Sequence, residues 1–467
     1  MSLPFVSDSL AAEGPWRIND PLGLDEGFTI GLIQRSRFEN IADNVQLEAS
    51  ANDQVLALRT ILNVQYNNDR FTSQIEFADI RQELADKDSI LKTRTVNTTD
   101  FLQANIGYRF GKKKNTWVRF GRFSEDWGSR RIMARNRYRN TINAFDGLVL
   151  HHDSSNGTHT RLMATQVVRR MPGDFTSMLR NRHEADESSN AQRFFGIHTT
   201  LPNLFNMFTT EFFYYSLKEK DTTNVRTRNR NFDSFGFRLR KSPSVGDFEY
   251  EFETIYQFGE RRGSASANDI TDLDHRAFFQ YAMLGYSFDN PINLRIQFEM
   301  DYASGDNNPY DNDNERFDSL FGPTTFEFGV VSLYDPFNRS NIFTPGIRLF
   351  SDLLEDINLM ASYRHFWLAD PQDTWGRTKL RDKSGRSGRY LGQHLQLRLR
   401  WDVIPGNLRI ETGGIYLDAK NLSDKNWNAL VKHFKEQQII DIIFTAGNYA
   451  LLAMALNTLG VEVDDGV

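Results

Sequence analysis

The sequence predicts an all-β chain, a transmembrane antiparallel β-barrel of about 16–18 strands. Three observations predict it. Apolar and polar residues alternate with a period of two along most of the 467 residues. Connectors alternate between short turns and long polar loops. No window reaches the ~18 uninterrupted apolar residues that a spanning helix needs, so any crossing of a membrane falls to strands.

The start, MSLPFVSDSLAAEGPW, lacks a basic stretch followed by a long apolar one, so no secretory signal is expected there, and residues 1–24 form an N-terminal segment. The barrel is expected over 25–422. In FTIGLIQRSRF, Phe28, Ile30, Leu32 and Phe38 share one parity, while Arg35 and Arg37 share the other. In VLALRTILNVQY, Leu56, Leu58, Leu62, Val64 and Tyr66 oppose Arg59, Asn63 and Gln65. FLQANIGYRF sets Leu102, Ala104, Ile106, Tyr108 and Phe110 against Gln103, Asn105 and Arg109. FEYEFETIYQF sets Phe248, Tyr250, Phe252, Tyr256 and Phe258 against Glu249, Glu251, Glu253 and Gln257. LRIQFEMDYASGD alternates Leu294, Ile296, Phe298, Met300 and Tyr302 with Arg295, Gln297, Glu299 and Asp301. INLMASYRHFW and HLQLRLRW repeat the pattern, with Arg364 in the first and Arg398 and Arg400 in the second on the polar side.

Between these runs, NNDR (67–70) and IPGN (404–407) have turn chemistry, and long polar connectors cover 82–99, 169–191, 218–231, 259–275, 303–324 and 370–390. Short turns on one side and long loops on the other describe an outer-membrane barrel of a Gram-negative cell. Counting the alternating segments from 28 to about 417 gives roughly seventeen strands. Hydrophobic residues are only 39 %, but aromatics reach 13 %, so apolar mass is concentrated in rings that often close the runs, where a membrane boundary favours them.

The alternative fold is a soluble all-β protein whose sheets each bury one face. Such a chain should break into domains at Pro/Gly/Ser linkers, and none is found. A closed barrel in lipid accounts for both facts, because it removes edges and pairs every backbone group. A net charge of −6 argues against a nucleic-acid partner, and the absence of cysteine removes disulfides and thiolate metal sites.

The densest unusual stretch is GRFSEDWGSRRIMARNRYRNTINAFDG, residues 121–147. It holds Arg122, Arg130, Arg131, Arg135, Arg137 and Arg139, with Arg119 just before on the polar parity of its strand. Guanidinium groups projecting into a pore lower the barrier for anions and bind carboxylates in bidentate fashion. The alternative is a solvated arginine-rich loop or a rim against lipopolysaccharide. In DNNPYDNDNERFD, Asp311, Asp313 and Glu315 have the alternating oxygen spacing of a calcium loop, but Arg316 stands where the loop needs glycine, so a hydrated loop is the default and no other cofactor is expected. HHD (151–153) and DLDH (272–275) come with neither a nucleophile nor zinc spacing, and no GxSxG or phosphate loop is present, so no enzyme is expected.

GRFSEDWGSRR, MARNRYRNTINAFDG, DYASGDNNPYDNDNERFDSLFG, and LRDKSGRSGRYLGQHLQLRLRW followed by PGNLRIETG together resemble the alginate export family of outer-membrane proteins, over residues from about 25 to 420. That resemblance implies a barrel of 18 strands with an electropositive constriction that passes an anionic polysaccharide or small anionic solutes. It implies pore-lining roles for Arg130, Arg131, Arg135, Arg137 and Arg139, and by extension for Arg59, Arg348 and Arg364. Periplasmic export machinery is a partner in that picture. A general porin for small anions and a plugged adhesive or structural barrel remain as alternatives.

From about Asp424 the period changes. Ile440, Ile443, Phe444, Gly447, Leu451 and Met454 fall near one face at helical spacing, so a helical tail is expected over 423–467. This piece resembles the end of the carboxymuconolactone decarboxylase and AhpD-like family, without the cysteine pair of its AhpD-like members. The expected consequence is the loss of the last strand of the barrel and an open edge, unpaired in lipid.

Overall fold

A computed structural model describes residues 18–46, 50, 52–204, 208–329, 334–419, 443–445 and 450–456. The first strands are β1 (Phe28–Ile41), β2 (Asp53–Asn67), β3 (Phe71–Glu83), β4 (Asn97–Phe110), β5 (Thr116–Phe123), β6 (Phe145–Asp153) and β7 (His159–Arg169). They are followed by β8 (Glu187–Leu204), β9 (Phe208–Glu219), β10 (Asn231–Lys241), β11 (Phe248–Arg261), β12 (Leu273–Ser287), β13 (Arg295–Ala303) and the two-residue β14 (Asp313–Asn314). The last are β15 (Ile342–Leu354), β16 (Ile357–Trp367), β17 (Tyr390–Ile404), β18 (Leu408–Ala419), β19 (Ile443–Thr445) and β20 (Ala450–Leu456). Helix is confined to single turns: α1 (Asn19–Leu22), α2 (Phe175–Leu179) and α3 (Thr325–Phe328).

Consecutive strands pair antiparallel from β1 to β13; β13 then pairs with β15, and the meander continues to β18. β14 lies outside the ring, in parallel register beside β12. Seventeen long strands thus run from Phe28 to Ala419, the number expected from the alternation. The eighteenth is β20, which pairs with β18 (Leu408–Glu411 against Met454–Leu451) and with β1 (Leu32–Phe38 against Leu456–Ala450).

That seam corrects two expectations. The edge is not open, since β20 gives both β18 and β1 a partner. Most of the expected helical tail lies outside the described residues, and its described pieces, β19 and β20, are strands. The reason is that ALLAMAL carries no polar residue. A short apolar run fits a helix or a fully buried strand equally by periodicity, and the demand of two unpaired edges decides between them. The AhpD-like resemblance lies largely outside the described residues.

The two ends of the barrel differ as the connectors predicted. β2 and β3 are joined through 68–70 and β17 and β18 through 405–407, whereas 84–96, 124–144, 170–186, 304–341 and 368–389 are long. Asn68 closes the first turn by accepting the backbone N–H of Arg70 (2.9 Å) and Phe71 (2.7 Å) on its side-chain oxygen.

The faces are inverted relative to a protein that dissolves in water. Phe298, Tyr256 and Ile106 are 61 %, 61 % and 64 % exposed, while Glu253, Asp301 and Arg364 on the opposite parity are 1 %, 0 % and 0 % exposed. Rings gather at both ends of the outer face. At the short-turn end Phe28 meets Tyr66 (4.7 Å), Phe71 meets Tyr108 (4.9 Å) and Phe248 meets Tyr286 (4.9 Å). At the other end Tyr256, Phe278, Tyr302, Phe343, Trp367 and Tyr390 form a continuous chain of contacts. On β12 the two girdles are marked by Phe278 and Tyr286. Eight residues make about 27 Å along a strand, or about 21 Å in depth at ~40° tilt, close to the ~25 Å apolar band of such barrels.

Candidate functional site: a loop bridge across the lumen

The long loops turn inward. Their apolar residues Trp127, Ile132, Met133, Phe317, Phe328 and Phe337 join lumen-facing Phe145, Phe194, Phe279 and Phe366 in one buried cluster. Phe145, Phe194 and Phe321 form a ring cluster with centroids 5.0–6.0 Å apart. A part of the lumen is therefore filled by an apolar core of its own.

Loop 124–144 leaves the wall at β5 and returns at the neighbouring β6, and two points along it are anchored on opposite walls. On one side, Arg35 donates to the carbonyls of Arg137 (2.9 Å), Tyr138 (3.1 Å) and Arg139 (2.8 Å) and to the side-chain oxygen of Asn140 (3.1 Å). Arg59 donates to the carbonyls of Arg137 (2.8 Å) and Arg139 (3.1 Å). These two arginines face each other in the β1–β2 register. Asn140 Nδ2 lies 3.2, 3.1 and 2.8 Å from the carbonyls of Leu58, Arg81 and Thr95. On the other side, Arg131 pairs with Glu251 (2.5 Å) and Glu253 (2.6 Å) of β11 and with Glu327 (2.8 Å), and its guanidinium lies 3.7 Å over the ring of Tyr281. With eighteen strands in the ring, β2 and β11 stand nine places apart, so the loop spans the barrel from wall to wall.

The nine arginines expected to line a pore fall into separate settings. Arg59, Arg137 and Arg139 meet at the bridge anchor. Arg119 is paired with Glu125, Arg135 with Glu76 (2.9 Å), and Arg131 with its three carboxylates. Arg348 reaches Glu299 (2.9 Å), and Arg364 reaches Asp301 (2.8 Å) and the carbonyl of Glu327 (2.6 Å). Arg130 sits at a left-handed turn (φ 68°), its N–H on the Trp127 carbonyl (3.0 Å). So Arg119, Arg131, Arg135, Arg348 and Arg364 are brought into the barrel but are held by carboxylates. The physical reason is that β3, β11 and β13 place acids on the same lumen parity, the inward loops add Glu125 and Glu327, and a guanidinium shielded from water takes the nearest carboxylate.

Positive charge is less compensated around the near anchor. Among the described residues, Arg35 has only carbonyl and amide oxygens as hydrogen-bond partners, and Arg398, on the lumen parity of β17, has no carboxylate partner. Arg37 and Arg400 beside them are paired with Glu39 (2.7 Å) and Glu411 (2.5 Å). Arg170 donates to the carbonyls of Thr93 (3.2 Å) and Ile142 (3.3 Å) and to Asn143 Oδ1 (2.9 Å), which Arg139 shares. Burial and the like charges of Arg170, Arg94 and Arg377 hold Arg139 well below the ordinary arginine value, which marks a cluster of basic residues. Desolvation and the charges of Arg94, Arg377 and Lys379 push Lys92 down to about 8. Arg131 moves the other way: burial lowers it, but Glu251, Glu327 and Glu253 outweigh this and raise it.

Sequence reasoning missed Arg35, Arg94, Arg170, Arg398 and Lys92 as site residues, and missed Glu251, Glu253, Glu299, Asp301 and Glu327 as the counter-ions of Arg131, Arg348 and Arg364. For Arg35, Arg398 and the strand acids Glu251, Glu253, Glu299 and Asp301 the signal was present in the alternation, since they share the polar parity, whereas Glu327 lies in a connector. For Arg94, Arg170 and Lys92 it was absent, because loops carry no parity. The calcium candidates Asp311, Asp313 and Glu315 lie in the connector between β13 and β15. Asp311 accepts the N–H of Asp313 (3.0 Å), Glu315 accepts that of Asn307 (3.3 Å), and Arg316 pairs with Asp373. Among the described residues no group of three or more His, Cys, Asp or Glu has the geometry for a metal ion.

Comparison with known proteins agrees with this architecture. A BenF-like porin from Pseudomonas fluorescens Pf-5 superposes with a TM-score of 0.58 at 12 % identity, over 92 % of this chain and 99 % of that one. OpdK from Pseudomonas aeruginosa, crystallised with vanillate, gives 0.56 at 10 % identity, over 92 % and 97 % of the two chains. OccK2 (OpdF) from Pseudomonas aeruginosa, in complex with glucuronate, gives 0.51 at 11 % identity, over 92 % and 97 %. No sequence relative was found among curated proteins. The family described as alginate export matches residues 28–416, and with that match over an inside-out ring of eighteen strands the chain belongs to the alginate export family as an outer-membrane β-barrel of the porin type.

Proposed function

We propose that the chain is a passive, anion-selective channel that passes carboxylate-bearing polymers, uronate chains such as alginate, across the outer membrane. The observation that carries this is the wall formed by β17, β1 and β2, where Arg35 and Arg398 keep guanidinium charge that no carboxylate takes among the described residues. Arg94, Arg139, Arg170 and Lys92 add to the same field from the loops. In a water-filled lumen with low-dielectric walls, such a field lowers the entry barrier for anions and raises it for cations. The pairing of Arg131, Arg348 and Arg364 with acids supports a reading in which this wall, rather than the arginine-rich loop as a whole, carries the selectivity.

A second reading, small carboxylates instead of a polymer, is favoured by the loop bridge and the apolar core inside the lumen, both of which narrow any passage. The titles of two solved porins of this fold name vanillate and glucuronate, each a small carboxylate. Reversal potentials across a salt gradient in planar bilayers test selectivity: anion preference is expected, and cation preference overturns the proposal. Single-channel block separates the two readings. Oligouronates that block from one side at lower concentration than the monomer favour the polymer, and equal block favours small solutes.

A further inference from the structure

The two anchors of the bridge are built differently. The near anchor holds the loop by its backbone: four consecutive residues, 137–140, give oxygens to Arg35 and Arg59. The far anchor holds it by side chains, and chiefly by one. Arg131 is 5 % exposed and pairs with three carboxylates drawn from two elements, Glu251 and Glu253 on the wall and Glu327 in loop 304–341. Ser129 adds one hydrogen bond, to Glu253 (2.8 Å). The three acids have other cations nearby, Arg238 on Glu251 (2.8 Å) and Arg339 on Glu327, but Glu253 has among the described residues only Arg131 as an ion-pair partner.

The chain around this point is packed too closely to slide. A Cβ on Gly322 would lie 1.8 Å from the Arg131 carbonyl, so loop 304–341 presses its backbone onto the latch residue. Phe321 N–H donates to the carbonyl of Ile132 (2.9 Å). Gly128 takes φ 57°, and a Cβ there would strike the His198 ring at 2.4 Å. Loop 124–144 is thus fixed where it meets the far wall, and the second inward loop is fixed on it.

We propose that Arg131 is the latch of this bridge, a positioning residue that holds loop 124–144 across the lumen and so sets the width of the passage. Removing its charge does two things at once. It deletes the tie between loop 124–144 and β11, and it leaves Glu327 of loop 304–341 facing Glu251 and Glu253 without the cation between them, so that like charges loosen the second inward loop that rests on the first. The proposal rests on the barrel and the loop geometry, and stands whether or not the channel prefers anions.

Single-channel recording of the whole chain with Arg131→Ala tests it. A latch predicts a several-fold rise in conductance with added gating noise and an unchanged reversal potential. A shifted reversal potential at unchanged conductance would mean that Arg131 meets the permeating ion, and would overturn the latch. The chain has no cysteine, so Ser129→Cys with Glu253→Cys introduces a single pair. In the Arg131→Ala background, bridging that pair with a bifunctional methanethiosulfonate reagent, which spans the reach of the Ser129–Glu253 hydrogen bond as a direct disulfide with its Cβ atoms about 4 Å apart does not, should return conductance towards the parent value, and reductant should release it; conductance that ignores both refutes the proposal. Should Arg131→Ala fail to assemble, Glu251→Gln with Glu253→Gln, which takes both β11 carboxylates from Arg131 and leaves it only Glu327 of loop 304–341, must still raise conductance, and a value equal to the parent refutes the latch.

Discussion

Phe298→Arg puts a charge where the structure puts hydrocarbon. Phe298 sits on β13 between Leu284 and Ile347 of the neighbouring strands, all on the outer face, and is 61 % exposed. It lies four residues from Tyr302 in the outer girdle, about 14 Å along the strand at ~3.4 Å per residue and about 10 Å in depth at ~40° tilt. Half the ~25 Å apolar band is ~12 Å, so Phe298 is near the bilayer midplane. Arginine at such a depth costs about 2–4 kcal/mol, a factor of about 30–900 in the folding equilibrium, whereas at the girdle it costs about 0–1 kcal/mol. Tyr302→Arg is therefore the paired control. Denaturant titration of folding into lipid vesicles, read by tryptophan fluorescence and heat-modifiable migration, measures both. Equal costs at the two positions, or a chain that stays folded and monomeric without lipid or detergent, would refute the assignment of that face to lipid.

Arg364→Ala strands Asp301 at 0 % exposure, while Glu299 keeps Arg348 (2.9 Å), so stability should fall by about 3–5 kcal/mol, as is typical when one partner of a buried pair is removed; denaturant titration of folding reads it. Arg35→Ala with Arg398→Ala should move the reversal potential towards the non-selective value, and an unmoved potential would place selectivity elsewhere. Lys92, pushed down to about 8, is charged below that pH and loses its proton above it. Anion selectivity should therefore drop between about pH 7 and about pH 9. Lys92→Gln should abolish that step, which pH-dependent reversal potentials can follow.

The ring of strands was legible because lipid on one side and water on the other impose a strict parity. Phe298 and Asp301 announce their faces in a run of nine residues, and Asn68 and Pro405 announce the turns. The seam was not legible, since ALLAMAL has no polar residue to reveal a period and only the unpaired edges of β1 and β18 dictate its conformation. The site was legible in part. Charge at 121–147 drew attention to the right loop, but which arginines keep their charge depends on counter-ions from β3, β11 and β13, brought together by closure of the ring. Arg131 and Arg35 look alike in sequence, yet one meets three carboxylates and the other four oxygens of the loop.

The seam also orders assembly in time. Leu32 and Leu456 are direct neighbours although 424 positions separate them. Joining such distant points of a disordered polymer carries an entropic penalty of about 5 kcal/mol, against about 2 kcal/mol for a ten-residue hairpin. Local hairpins therefore form first and shorten the effective distance, and the union of first and last strands comes at the end. Until then the nascent sheet has two raw margins, and a chaperone that caps them during insertion would shield the point where the molecule is most open to wrong pairing.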